Sequence, residues 1–281
     1  MIRWLPLVLL ACLVGHSTTA QTLAPSSVEL ARLVATYQLT YRPDSTQTTT
    51  RAEILYLLLG STQSLFESRG KRADDSLLVT TQNIPFNQET AQLITTQMAA
   101  LPHSRFSYTI YKTGVPRHLY YYDRIYPKHY RYEESAAPVW INTSATATIA
   151  GYTCQKATTT LGGRQWEAWF TREVPVSDGP YKFYGLPGLI VKVGDTRQNY
   201  VFELLRLVKP TAEYRIELPT KATTSTDRAT FHKAKADYDR NAIEQMQVSG
   251  NIRFNTPAEA EDAKQRAHAR AKSRNNPLEL R

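Results

Sequence analysis

The sequence predicts a strand-rich α+β protein built on an antiparallel sheet, with one mid-chain helix and two C-terminal helices. Three observations carry this. Short runs of apolar–polar alternation recur up to about residue 208, separated by Gly, Pro and Asn clusters, the pattern of an antiparallel meander. One segment, 88–100, switches to helical spacing. The last stretch, from 223 onward, drops alternation for the 3.6-residue spacing of helices.

Residues 1–20 read as a signal peptide. Arg3 gives a positive start, Trp4 to Gly15 is a short apolar run, and Thr18-Thr-Ala20 places small residues at the cleavage positions. The run is shorter than the roughly 20 residues needed to span a bilayer. Lipidation is the alternative, because Leu9-Leu-Ala-Cys12 resembles a lipobox. No later stretch is long and apolar enough for a transmembrane helix, so the expectation is an exported, non-transmembrane protein, periplasmic or associated with the outer membrane. About 260 residues remain beyond the signal, enough for one large domain with an appendage. The division predicted is a β-rich domain over 21–222 with a helical segment, 223–281, packing on it. The formal net charge is +9. On an exported protein this points to anionic partners such as phospholipid head groups or polysaccharide, or equally to a solvated basic surface with no specific partner. Nucleic acid is not expected.

Taken in order, Leu33, Ala35, Tyr37, Leu39 and Tyr41 alternate with polar residues as a half-buried strand does. Arg51 to Leu59 and Thr62 to Glu67 follow as strands about Gly60, and 71–83 is polar and irregular. Ala91, Ile94, Met98 and Leu101 share a helical face, with Asn87 as N-cap. Strands resume at Arg105–Thr113, Arg117–Tyr122, Lys128–Glu133 and Val139–Ile141. Tyr152–Thr160 and Arg164–Thr171 flank Gly162-Gly163, a strong hairpin signal. Gly188–Val193 and Tyr200–Val208 form another hairpin. Phe231, Ala234, Tyr238, Ala242 and Met246 stripe one closing helix. Thr256-Pro-Ala-Glu259 is a capping box opening a second, solvated helix, beyond which the chain end is expected to fray.

The residues offer little for catalysis. With Cys12 removed, Cys154 has no internal disulfide partner and reads as a free, buried thiol without an activating base. No zinc spacing, nucleophile elbow or phosphate-cradling Gly loop occurs, and no catalytic residue, metal ligand or cofactor is predicted. His118 and His129 near Asp123 are a weak metal constellation, and Asp178 with Glu173 a weak carboxylate pair. Tyr120, Tyr121, Tyr122, Tyr126, Tyr130 and Tyr132, with Arg117, Arg124, Lys128 and Arg131, fit either cross-strand packing or a ligand surface.

The densest backbone instruction is Asp178-Gly-Pro-Tyr-Lys-Phe-Tyr-Gly-Leu-Pro-Gly-Leu-Ile190. Asp178, Gly179, Pro180, Gly185, Leu186, Pro187 and Gly188 form its turn framework, with a type II turn expected over 186–189. Tyr181, Phe183 and Tyr184, with Trp166 and Trp169 nearby in sequence, are the candidate ligand-binding residues. Gly185-Leu-Pro-Gly-Leu-Ile190 resembles the signature of the GLPGLI family, exported proteins of unknown biochemical function. Ile149-Ala-Gly-Tyr-Thr-Cys-Gln-Lys-Ala157, Arg164-Gln-Trp-Glu-Ala-Trp-Phe-Thr171, Val174 to Phe183, Ser64-Leu-Phe-Glu-Ser68 and Asn276-Pro-Leu-Glu-Leu280 resemble its other motifs. The resemblance implies a curved open sheet like that of periplasmic lipoprotein carriers, covered by helices. It carries no catalytic residues with it. The expected role is non-enzymatic binding of an apolar or amphiphilic ligand, or of an envelope partner. An exported hydrolase and a structural envelope component are the alternatives. Mass spectrometry of the mature N-terminus is expected to find Gln21; a diacylglyceryl group on Cys12 would overturn the soluble form.

Overall fold

The computed structural model describes residues 28–280, apart from 82, 86, 115, 135, 220, 221 and 251. The expected signal peptide, with Cys12, and the expected mature start at Gln21 lie outside the described residues. The strands in chain order are β1 (Glu29–Leu30), β2 (Leu33–Tyr41), β3 (Arg51–Leu59) and β4 (Ser64–Ser68). Helices α1 (Arg69–Thr81) and α2 (Gln88–Ala100) intervene. Then come β5 (Thr109–Thr113), β6 (His118–Ile125), β7 (Lys128–Glu134), β8 (Ile141–Ile149), β9 (Tyr152–Leu161) and β10 (Arg164–Thr171). Strands β11 (Leu189–Asp195), β12 (Tyr200–Val208), β13 (Arg215–Ile216) and β14 (Thr223–Ser225) precede α3 (Arg228–Val248) and α4 (Pro257–Lys272).

Twelve strands form one sheet in the order β14-β7-β6-β5-β4-β3-β2-β12-β11-β10-β9-β8. Two meanders, β2 to β7 and β8 to β12, are fused where β12 pairs with β2. Every pair is antiparallel except β14 with β7. The alternation read in β2 sets the two faces. Ala35, Tyr37, Leu39 and Tyr41 join the main core, while Val34 joins a second, smaller core on the opposite face. Cross-strand packing also resolves the tyrosine-rich section. Tyr121 and Tyr132 are ladder partners with stacked rings 4.7 Å apart on the main face, and Tyr120 and Tyr122 serve the other.

The sheet is curved, and one side-chain pair shows why. Lys182 Nζ lies 3.1 Å from Tyr132 Oη on β7, and the neighbouring Phe183 ring lies 4.8 Å from Trp166 on β10. In the sheet order β7 and β10 are eight spacings apart, about 38 Å if flat at about 4.8 Å per strand. Two consecutive side chains cannot span that distance. The sheet therefore wraps around 178–190, and the main core is its concave face.

Helices were expected at 88–100 and in the last sixty residues, and the described residues hold four. Asn87 caps α2 through the Thr90 N–H at 2.9 Å, and Thr256 caps α4 through the Glu259 N–H at 3.2 Å. α3 buries Phe231 against Tyr121, Tyr130 and Tyr132, with Ala234 and Tyr238 beside it. α1 was not read from sequence, because Gly70 is its one buried residue and its remainder carries no apolar stripe. β8 extends to Ile149, eight residues past the expected strand end at Ile141; its mostly exposed Thr, Ser and Ala residues give no alternation.

The 186–189 bend is a γ-turn about Pro187, not a type II turn. The Gly188 N–H donates to Leu186 O at 2.8 Å, while the Leu189 N–H goes to Val174 O at 3.0 Å. Gly188 has φ +153°, and a Cβ there would meet Thr171 O at 2.0 Å. Close backbone approach thus demands glycine. Gly188→Ala is expected to cost about 3 kcal/mol or more, which at about 2–4 °C per kcal/mol lowers Tm by about 6–12 °C. An unchanged Tm in thermal unfolding followed by circular dichroism would refute this contact.

Candidate functional site

The concave face is occupied by the chain's own residues 178–190, folded as a compact loop whose ends meet. Ile190 N–H donates to Asp178 O at 3.0 Å, and Phe183 N–H to Pro180 O at 3.1 Å. Tyr181, Phe183, Leu186, Leu189 and Ile190 are buried. Each such side chain is worth about 1.5–3 kcal/mol on burial, so apolar burial drives the loop into the sheet. Tyr181 sits at φ +53°, which turns its ring inward against Tyr108, 5.5 Å away.

Charge fixes where the loop lands. Lys112 on β5 and Asp178 are both wholly buried, with Nζ 2.6 Å from Oδ1. Nζ also donates to Gly179 O at 2.8 Å and Phe183 O at 3.4 Å, so all three ammonium protons are met by the loop. The Asp178 carboxylate also accepts from Ser64 Oγ at 2.5 Å, the Gly179 N–H at 2.8 Å, and Arg117 at 3.0 Å. Burial by itself would raise the Asp178 pKa; Lys112, Arg117 and Ser64 outweigh it and hold the group below the usual aspartate range. Burial pulls Lys112 down to about 8 against the pull of Asp178. What reads in sequence as a turn aspartate is thus the loop's anchor.

A second anchor closes the rim. Glu279 takes Lys182 Nζ at 2.7 Å, Tyr181 Oη at 2.6 Å and Arg228 at 2.7 Å, with His232 Nε2 3.3 Å away. Lys182 also binds Glu134 at 2.7 Å. Burial opposes ionisation of Glu279, but His232 and Lys182 hold its carboxyl well below the usual range. A third anchor is Arg164, which binds Asp195 at 3.0 Å, Asn276 Oδ1 at 2.6 Å and the carbonyls of Pro277 and Leu278. The chain end expected to fray is therefore held: Asn276 N–H reaches Pro43 O at 3.2 Å and Leu280 N–H reaches Gly162 O at 2.6 Å.

An open groove of about 850 Å³ borders this network. Glu134 and Arg228 stand at it, Trp166 and Thr160 form a wall, and Val139 and Ile141 form an apolar rim. Val139 is 82% exposed and Ile141 68%. Of the candidate ligand residues, Tyr181, Phe183, Tyr184 and Trp166 are buried together on the concave side, and Trp166 also lines the groove. Trp169 is half-buried with Lys156 Nζ 5.9 Å from its ring centre. Tyr184 accepts the Trp140 indole N–H through its carbonyl at 2.7 Å. Cys154 is free and buried, and burial raises its thiol pKa. Glu173 caps the Thr153 N–H at 2.7 Å while Asp178 serves Lys112, so the two carboxylates hold separate anchors. His118 pairs with Glu133 at 2.6 Å, and His129 lies opposite Arg124, near the far end of the β6–β7 ladder. They do not converge, and among the described residues no metal-holding cluster occurs. Lys182, Arg164 and Glu279 fell inside segments singled out by sequence but with no role assigned to them, and Lys112, in the Thr-Ile-Tyr-Lys-Thr strand, carried no signal.

A family model described as "Protein of unknown function (Porph_ging)" matches residues 159–192, from the end of β9 into β11. The GLPGLI resemblance is compatible with that match. No curated protein sequence matches the chain. Two solved structures of PNGF-II, in C2 and P21 space groups, superpose with TM-scores of 0.48 and 0.46, each at 16% identity. They cover 72% and 73% of this chain but 32% and 33% of their own, so the chain spans about a third of their length.

Asp178→Asn leaves Lys112 buried without its counter-charge and is expected to destabilise by about 3–5 kcal/mol in urea unfolding. Asp178 and Glu279 both have folded-state pKa values below their unfolded ones, so their stabilisation is complete above about pH 5 and is lost progressively as pH falls through the unfolded values near 4 toward the lower folded ones. Glu279→Gln is expected to flatten that acid limb. An acid limb of the same slope in wild type and variant would count against the anchor.

Proposed function

We propose that the chain is a non-enzymatic binding protein of the cell envelope whose groove beside Trp166 takes an extended, amphiphilic segment of an envelope partner. The observation that carries this reading is the free edge of β9. The β8 ladder ends at Ile141 opposite Thr158, so Thr159 to Leu161 have no ladder partner on the groove side among the described residues, where the Thr159 hydroxyl donates to Val139 O at 2.7 Å. An unpaired edge is a template for strand addition, where main-chain bonds give affinity and flanking pockets give selectivity. The exposed Val139 and Ile141 supply apolar contacts, and Glu134 and Arg228 a polar end.

The buried ionisable groups support binding over hydrolysis. Asp178, Glu279, Lys112 and Lys182 already neutralise one another, and the Cys154 thiol is raised away from its reactive thiolate form. An apolar ligand among Tyr181, Phe183 and Tyr184 ranks below the groove, because it would have to displace the loop and expose side chains worth about 1.5–3 kcal/mol each.

A photo-crosslinking residue at Thr160 is expected to give a discrete envelope-protein adduct in cells, and the same residue at exposed Gln92 on α2 none. Val139→Asp with Ile141→Asp is expected to abolish the Thr160 adduct while leaving Tm unchanged. Equal adducts at both positions, or an adduct indifferent to the two aspartates, would sink the groove as the site.

A further inference from the structure

Four arginines from three parts of the chain meet at one end of the sheet, away from the residues that line the groove. Arg51 opens β3 as the ladder partner of Tyr41, whose ring belongs to the concave core. Arg105, on the approach to β5, has its guanidinium 5.7 Å from the centre of the Tyr41 ring. Arg270 lies in the last turn of α4, and Arg274 just beyond it. The tail brings Arg274 to the same end: the next two residues, Asn275 and Asn276, bond Asp44 Oδ1 at 2.7 Å and Pro43 O at 3.2 Å, just past Tyr41, and Arg105, Arg270 and Arg51 all act on its charge.

None of the four forms an ion pair among the described residues; the paired arginines are elsewhere. The nearby carboxylates are committed. Asp239, which opposes the cluster's charge, holds Lys235 at 2.6 and 2.8 Å. Glu53 accepts from Tyr41 Oη at 3.2 Å, Ser104 Oγ at 2.8 Å and the Arg105 backbone N–H at 2.9 Å.

The platform is packed from three sides of the Tyr41 ring. Tyr41 stacks on Tyr200 at 6.0 Å and 14° and meets Phe106 edge-on at 5.1 Å, so Arg105 is placed before any ligand arrives. The dipole of α4 accounts for a cation in its last turn, but not for Arg51 and Arg105, which come from the sheet side. Four like charges outnumber the nearby Glu53 and Asp239, and a multivalent oxyanion relieves the excess through charge-assisted, bidentate guanidinium bonds.

We propose that Arg51, Arg105, Arg270 and Arg274 form a binding site for a phosphate-class oxyanion, free or carried on an anionic lipid head group. The full chain would be titrated with inorganic pyrophosphate by calorimetry at low ionic strength. In parallel it would be sedimented with phosphatidylcholine vesicles with and without phosphatidylglycerol. Wild type is expected to bind, and Arg105→Gln with Arg274→Gln to bind about tenfold or more weakly. Arg266→Gln, whose guanidinium pairs with Asp262, is expected to bind as wild type does. Arg274→Gln alone, at an exposed position, gives the same test should the double variant fold poorly. Binding to phosphatidylglycerol vesicles assigns the lipid source, and pyrophosphate binding without vesicle binding assigns the free anion. Failure of wild type to bind either probe, or equal binding by wild type and both glutamine variants, would overturn the site.

Discussion

The contact on which the rest of the structure depends is the buried pair of Lys112 and Asp178. A sheet curved around its own interior must fill its concave face, and here the filling is residues 178–190 of the same chain. Apolar burial supplies the free energy. It does not say where along the sheet the loop should settle, because apolar contacts are non-directional. The pair does. Lys112 sits mid-sheet on β5, its three protons find acceptors only in the turn that begins at Asp178, and a loop displaced by one strand would bury an unpaired charge. Such a pair adds little net stability over well-packed apolar residues, but removing one partner is costly.

The two other anchors extend the same logic to the rim. Arg164 and Glu279 draw the last residues of the chain across the Gly162 turn, the loop and α3. The chain end therefore closes the concavity begun by the loop, and β2, paired with β12, joins the two meanders beneath them. Pro43 and Arg42, just past β2, receive the tail through Asn276. Chain segments more than 200 residues apart in sequence are thus held in one rim.

With the concave face filled from within, the places left for partners are peripheral. Of the two proposed, one is apolar-rimmed with Glu134 and Arg228 at its end, where β8 stops short of β9; the other is the arginine cluster that includes the end of α4 and the opening of β3. Both arise from mismatched ends of elements. Strands of unequal length leave backbone groups unpaired, and a helix terminating over a sheet edge brings arginines from separate elements together.

The sequence by itself determined the elements whose causes are local. Alternation located β2 and β3 to the residue, Gly162-Gly163 located the β9–β10 hairpin, Asn87 and Thr256 located two helix starts, and Phe231, Ala234 and Tyr238 of the predicted stripe located the core-facing part of α3, while Ala242 and Met246, past a break at Asn241, do not reach the core. It also singled out 178–190 as the segment with a defined path. It did not reveal α1 or most of β8, whose exposed faces carry no period. The γ-turn at Pro187 was equally invisible, since Pro-Gly suits several bends and the close approach of Thr171 chose among them. The candidate site was legible only in part: Trp166 and the aromatic loop were visible as residues, while their burial, Lys112, Glu279, the free edge of β9 and the arginine cluster were not. Those features join side chains dozens to hundreds of residues apart, and neither periodicity nor turn chemistry extends that far. They exist once the sheet has curved, and the tertiary structure alone decided them.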